Sequence, residues 1–135
     1  MSDRIFFDSN VILYAFFRND GRSAVAERVL ACHNAVISSQ VVGEVCTNLR
    51  KKAGFSPQEI AMVATQLYAG FDVCALEEAH FLLAASLLDR FSLSFWDAMI
   101  VAAALRAGCT ILYSEDMHHG LRIDAMTILN PFSLQ

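Results

Sequence analysis

Ser94 to Asp116 reads SFWDAMIVAAALRAGCTILYSED. Ser94 and, three positions on, Asp97 have the spacing of a helix start, and Phe95 to Ala107 runs on as an apolar helix that Gly108 ends. Thr110 to Tyr113 is then a short β-rich run, and three polar residues, Ser114-Glu115-Asp116, follow at once. A helix that feeds a strand is half of an α/β unit. The rest of the chain repeats the pattern. Upstream, Arg4 to Phe7 reads as a strand, Ser9 to Phe17 and Arg22 to His33 as helices parted by the turn Asn19-Asp20-Gly21, and Ala35 to Ser38 as a second strand. Gln40 to Lys52 is a helix closed by Gly54. Ser56-Pro57-Gln58-Glu59 opens the next with serine at the N-cap, proline at N1 and glutamate at N3. Phe71 to Leu76 is a third strand and Glu77 to Arg90 a helix. Downstream, a weak fifth strand, Met126 to Leu129, precedes Asn130-Pro131-Phe132. Strands separated by helices predict an α/β fold: a mostly parallel central sheet of about five strands with helices on both faces.

The chain is 135 residues long and 56% hydrophobic, which suits one domain over residues 1–135 with a substantial core. No repeat, low-complexity tract or linker interrupts it. No apolar run approaches the roughly 18 residues that span a bilayer, and the opening MSDRIFFDSN carries charges where a signal peptide needs an apolar segment. The expectation is a soluble, cytoplasmic protein with no membrane partner. Cys32, Cys46, Cys74 and Cys109 lie far apart among apolar neighbours with no CxxC pair, so they read as buried free thiols without chemistry. A mean hydropathy of +0.43 is high for a soluble monomer and points to apolar surface covered by a partner.

In an open parallel sheet all strands end at one edge, where the helix N-termini also gather, so chain position predicts spatial position. Asp8 directly follows the first strand, and Asp116 follows TILY after two residues. Glu44 lies early in the helix after AVIS, and Asp97 lies in the first turn of the helix leading into TILY. Each has a plainer reading: Asp8 or Ser9 as a helix cap, Asp97 as the third residue of a capping box, Glu44 as a solvated charge, Asp116 as the cap of a short helix through Met117-His118-His119. Taken together, four carboxylates at one rim raise one another's pKa or repel unless a cation is present. Oxygen donors without histidine or thiolate suit Mg2+ or Mn2+ rather than zinc. Setting those four aside leaves 10 acidic residues against 10 Lys plus Arg.

The four motifs together resemble the PIN domain family, and within it the VapC-like ribonuclease toxins of type II toxin-antitoxin systems. FFDSNVILY is similar to the family's opening strand and helix, VVGEV to its helical glutamate, SFWDAMIVAAALRAGC to its aspartate-bearing helix, and ILYSEDMHHG with ILNPF to its closing segment. The likeness runs from Phe6 to Phe132. It implies a metal-dependent endoribonuclease with Asp8, Glu44, Asp97 and Asp116 as catalytic metal ligands, supported by Asn10 and by Ser114 at the small-hydroxyl position. The cofactor implied is Mg2+ or Mn2+, and the products would carry 5'-phosphate and 3'-hydroxyl ends. It also implies a homodimer, a cognate antitoxin protein covering the acidic groove, and structured RNA such as tRNA or rRNA as substrate. Where many PIN domains carry a further acidic residue after the last aspartate, this chain has Met117-His118.

RNA contact has the least support in the sequence. A pI near 5.4 gives no overall attraction to a polyanion. The one basic run, Arg50-Lys51-Lys52, equally complements the C-terminal dipole of the Glu44 helix. His118 and His119 read as turn residues, and His33 and His80 take no role. Two other functions fit parts of the pattern. A haloacid-dehalogenase-like phosphatase also places an aspartate after its first strand, but needs a second two residues on, where Asn10 stands. A phosphorylated receiver domain needs a lysine beyond a late strand, and none follows Lys52. A non-catalytic PIN-type module that binds RNA or protein is the remaining alternative.

Overall fold

Ile5, Phe6 and Phe7 form an apolar strand because both of its faces are covered, the condition under which parallel strands lose their polar alternation. The computed structural model describes residues 3–17, 21–31 and 34–134. Asn19 and Asp20 of the expected turn, the Cys32 thiol, the helix end expected at His33, and the termini Met1, Ser2 and Gln135 lie outside the described residues. Strand β1 (Ile5–Phe7) leads to helices α1 (Ser9–Phe16) and α2 (Arg22–Leu30), then β2 (Ala35–Ser38), α3 (Ser39–Ala53), α4 (Pro57–Gly70) and β3 (Asp72–Cys74). Helices α5 (Glu78–Phe91) and α6 (Phe95–Arg106) precede β4 (Ile111–Tyr113), β5 (Arg122–Ile123) and β6 (Met126–Leu129), and a 3-10 turn closes the chain.

The sheet order is β3-β2-β1-β4-β6-β5, with every pair parallel except β5 and β6. The α/β expectation holds. The sixth strand, β5, is a two-residue arm turned back onto β6 through Asp124, which adopts a left-handed φ of 53°. A two-residue strand has no period to read. At the other edge the expected strand Phe71 to Leu76 shortens to Asp72–Cys74. From β1 the chain builds outward through β2 and β3, then returns to place β4 on the opposite side of β1. The crevice beyond the ends of β1 and β4 is therefore the switch point where open α/β sheets bind ligands.

Helix α6 buries Ala98 to Ala104 without a break, so it lies inside the molecule, packed on α5 and reaching β2. This fixes Asp97 in its first turn beside the sheet. Helix α3 buries Val41, Val42, Val45 and Leu49, leaving Glu44 on a half-buried flank, and ends at Gly54 with φ 67°. The capping box on α4 is complete: Ser56 Oγ accepts from Glu59 N–H at 3.1 Å and Glu59 Oε1 accepts from Ser56 N–H at 2.9 Å. Ser56→Ala is expected to cost about 1 kcal/mol in a thermal melt, and an unchanged melting temperature would show that the cap contributes nothing. The thiols need one correction. Cys109 is buried and its pKa is pushed up to about 12 by desolvation, whereas Cys46, in the middle of α3, and Cys74, at the end of β3, are only half-buried.

Candidate active site

Asp8 is the first residue beyond β1, and its N–H continues the ladder by donating to Tyr113 O at 2.9 Å. The side chain is 5% exposed. Its Oδ1 accepts from Ser9 N–H at 2.8 Å, capping α1, while Oδ2 accepts from the fully buried Ser114 hydroxyl at 2.8 Å. The capping reading of Asp8 holds for Oδ1, while Oδ2 is held by Ser114 and takes no part in the cap. Burial is the main cause that lifts the Asp8 pKa from 3.8 to about 6; the bonds from Ser114 and Ser9 oppose it, and the charges of Glu44 and Asp97 add to it.

The structure places Glu44 and Asp97 close enough to act on Asp8 electrostatically. Glu44 is held from two sides: Ser9 Oγ donates to Oε1 at 2.9 Å, and Gln40 Nε2 donates to Oε2 at 3.0 Å. Asp97 differs. Ser94 Oγ accepts from Asp97 N–H at 3.3 Å, but the reciprocal half of a capping box is not formed, and among the described residues the Asp97 carboxylate has no hydrogen-bond partner. Asp116 joins the set through Asn10, whose Nδ2 donates to Asp116 Oδ2 at 3.1 Å while Oδ1 accepts from Glu115 N–H at 3.2 Å. The helix expected over Met117 to His119 is absent, because Met117 turns into the core and leaves no regular backbone for Asp116 to cap.

Among the described residues no lysine or arginine forms an ion pair with Asp8, Glu44, Asp97 or Asp116. Arg22 is committed elsewhere, its Nε donating to Glu115 Oε2 at 2.9 Å while Tyr14 OH donates to Glu115 Oε1 at 2.9 Å. The rim is an all-oxygen anionic set with an internally raised pKa, and in donor chemistry it fits a hard divalent cation. Two buried oxygens at the end of β2, Ser38 Oγ and Gln40 Oε1, also lack partners. Among the described residues no group of three or more His, Cys, Asp or Glu side chains is preassembled around a metal position; Glu44 is hydrogen-bonded by Ser9 and Gln40, and Asp116 by Asn10.

The basic run divides. Arg50 Nη1 donates to Phe55 O at 2.7 Å and so secures the end of α3, whereas Lys52 lines a groove of about 220 Å3 with Asn10, Leu13, Tyr14, Phe17 and Asn48. His118 and His119 are exposed, and His119 Nδ1 accepts from Asn130 N–H at 2.8 Å. Buried His80 accepts from Glu77 N–H at 3.0 Å, a structural position. Ser9 and Gln40 were not expected in the site. Gln40 carried a signal, since it stands one turn before Glu44 on the same helix face.

The family model described as PIN domain matches residues 5–120. Among curated proteins none matches the chain. Solved structures do. VapC20 from Mycobacterium tuberculosis, described as a sarcin-ricin loop cleaving toxin, is 24% identical with a TM-score of 0.69 over 83% of this chain and 89% of its own. A toxin-antitoxin complex from Klebsiella pneumoniae is 18% identical with a TM-score of 0.74 over 94% and 97%. VapBC2 from Rickettsia felis, bound to a DNA fragment of its promoter, is 14% identical with a TM-score of 0.65 over 92% and 96%. At these identities the structural likeness speaks for the fold.

Proposed function

The chain belongs to the PIN domain family, and from that premise we propose that it is a metal-dependent endoribonuclease, the toxin of a toxin-antitoxin pair. The observation that carries the proposal is the anionic rim at the β1/β4 switch point, with Asp8 buried under the charges of Glu44 and Asp97 and, among the described residues, no lysine or arginine in an ion pair with any of the four carboxylates. Family membership also displaces the haloacid-dehalogenase-like alternative.

In this reading Asp8, Asp97 and Asp116 hold Mg2+ or Mn2+. Bound there, the ion would polarise the phosphodiester, lower the pKa of the attacking water and stabilise the departing 3'-oxygen. Ser114 and the Ser9 N–H keep the Asp8 carboxylate in one orientation, so its placement is paid for during folding rather than at binding. Glu44, steadied by Ser9 and Gln40, either joins the ligands or orients the water. Asn10 keeps Asp116 turned toward the rim.

The substrate class is structured RNA such as tRNA or rRNA; one structural neighbour is described as cleaving the sarcin-ricin loop, which supports a folded target. A cognate antitoxin covering the acidic groove is supported by neighbours solved as toxin-antitoxin complexes. A homodimer agrees with the exposed apolar side chains of Met62, Tyr68 and Leu82. No helix among the described residues is long and apolar enough to cross a membrane; a cytoplasmic site of action is part of the proposal. The test is to incubate the antitoxin-free protein with end-labelled total RNA in Mg2+, Mn2+ or EDTA and map the product ends. Metal-dependent cuts leaving 5'-phosphates are expected. Absence of cleavage by folded protein in either metal would replace the nuclease with a binding module.

A further inference from the structure

Trp96 is 54% exposed and stands one residue before Asp97 in α6. Its ring is steadied by Phe95, edge to face with centroids 5.2 Å apart and planes at 81°, and Phe95 in turn packs on Phe81 at 6.0 Å. Gln40 Nε2 donates both to Trp96 O at 3.2 Å and to Glu44, so one amide ties the tryptophan's backbone to a member of the acidic rim. Between α3 and this ring runs an open groove of about 340 Å3 lined by Gln40, Gly43, Glu44, Thr47, Asn48 and Trp96.

Gly43 is the informative residue. It lies inside the fifteen-residue helix α3, where glycine is disfavoured relative to alanine. Its φ is not positive, and a Cβ built on it would meet nothing within 4 Å. Among the described residues, neither backbone conformation nor packing calls for glycine there. What the missing Cβ leaves is a flat strip of helix at the floor of the groove, the arrangement used where a ligand approaches backbone closely.

We propose that the Trp96–Gly43 groove is a stacking subsite for one unpaired base of the RNA substrate. The proposal rests on the nuclease reading and adds the strand state that the site selects: the base lies on the indole, beside the carboxylates that act on the adjoining phosphate. A planar neutral ring suits this groove because its one aromatic wall offers a stacking face, with Gly43 leaving the floor flat and Gln40, Thr47 and Asn48 at its edges able to hydrogen-bond a base. It also answers the charge problem. Gly43, Thr47, Arg50 and Lys51 follow one another at helical spacing along α3, so a strand leaving the base would run away from Glu44 toward the basic turn about 10 Å on.

Trp96 is the chain's single tryptophan, so its fluorescence reports on the groove alone. The probe is a short single-stranded oligoribonucleotide of mixed sequence, titrated into the wild-type protein in EDTA, with the same oligonucleotide annealed to its complement as comparison. Quenching by the single strand and much less by the duplex is expected. In cleavage assays Trp96→Ala should raise KM about 5- to 150-fold, the worth of one base stack, with kcat little changed, and Trp96→Phe should restore most of it. Gly43→Ala should weaken binding similarly while leaving the melting temperature equal or higher, which a merely structural glycine would not do. No quenching by the single strand, or an unaltered KM in Trp96→Ala, would overturn the subsite. So would emission that shifts with protein concentration alone while Trp96→Ala becomes monomeric with wild-type KM, since the patch would then be a contact between copies. If RNA is cut but Trp96→Ala behaves as wild type, the subsite fails and the nuclease stands. If the strand quenches and Gly43→Ala weakens it but nothing is cut, the nuclease fails and the groove remains an RNA-binding site.

Discussion

Asp8→Asn is expected to lower RNA cleavage at least about 100-fold while making the folded protein more stable at neutral pH. Both effects have one cause. The folded protein holds the Asp8 carboxyl near a pKa of about 6, against an ordinary 3.8, chiefly because burial penalises its charged form. Well below pH 4 the group is protonated in both states and costs nothing. As pH rises toward 6 the unfolded chain releases this proton and the folded chain keeps it, so stability falls through that window and stays low above it. Two pKa units correspond to about 3 kcal/mol, an order-of-magnitude figure. Asparagine removes the penalty, keeps an oxygen for the Ser9 N–H and presents an amide donor to Ser114, whose hydroxyl then turns to accept. Urea melts of both proteins from pH 4 to 8 check this: the stability difference should be small at the acid end and grow in favour of the variant as the wild type ionises. Adding Mg2+ should raise the wild-type melting temperature and leave that of Asp8→Asn nearly unmoved, because only a carboxylate at the rim's centre gains from the ion. A variant that is less stable at every pH would make Asp8 a structural cap.

Asp8 also shows why the sequence was readable in outline and ambiguous in detail. A parallel sheet converts chain order into spatial order, so an acidic residue just past IFF and others just past TILY had to meet at one edge once the strand–helix alternation was recognised. The same residues sit where helices begin, and a cap and a metal ligand are both oxygen acceptors at a helix N-terminus. Side-chain geometry adds what the spacing lacked: Asp8 divides its oxygens between Ser9 and Ser114, while Asp97 leaves the cap to Ser94 and its carboxylate has no hydrogen-bond partner among the described residues. Asn10 looked like a companion of the first aspartate, but its bond to Asp116 depends on two strands that are distant in sequence and adjacent in the sheet. Strand β5 escaped because two residues carry no periodicity, and its pairing comes from the tight return at Asp124. Gly43 gave no signal in the sequence; the groove it borders becomes visible only with Trp96 placed across it.

Asp97→Asn should separate catalysis from folding more cleanly than any substitution at Asp8. Among the described residues its carboxylate has no hydrogen-bond partner, and the Ser94 cap uses only its backbone N–H, so no acceptor used there is lost. Cleavage is expected to drop at least about 100-fold, on the ground that a ligand contributing only to the ion and the reacting phosphate works through several kcal/mol of transition-state stabilisation. Stability should move in a particular way. Removing the charge of Asp97 takes away the weakest of the influences that raise the Asp8 pKa, so the folded pKa of Asp8 slides slightly back toward 3.8 and the loss of stability between pH 4 and 6 becomes shallower. Because burial is the larger cause, the shift should be smaller than the one produced by Asp8→Asn itself. In the double variant no ionised Asp8 remains for Asp97 to act on, and the second substitution should add almost nothing above pH 6. That non-additivity, measured as a double-mutant cycle across pH, reads the electrostatic coupling of the two carboxylates independently of any assay for RNA. If instead the two effects simply add, or if Asp97→Asn loosens the start of α6 and lowers stability at all pH values, Asp97 belongs to the helix and the anionic rim has lost one of its members.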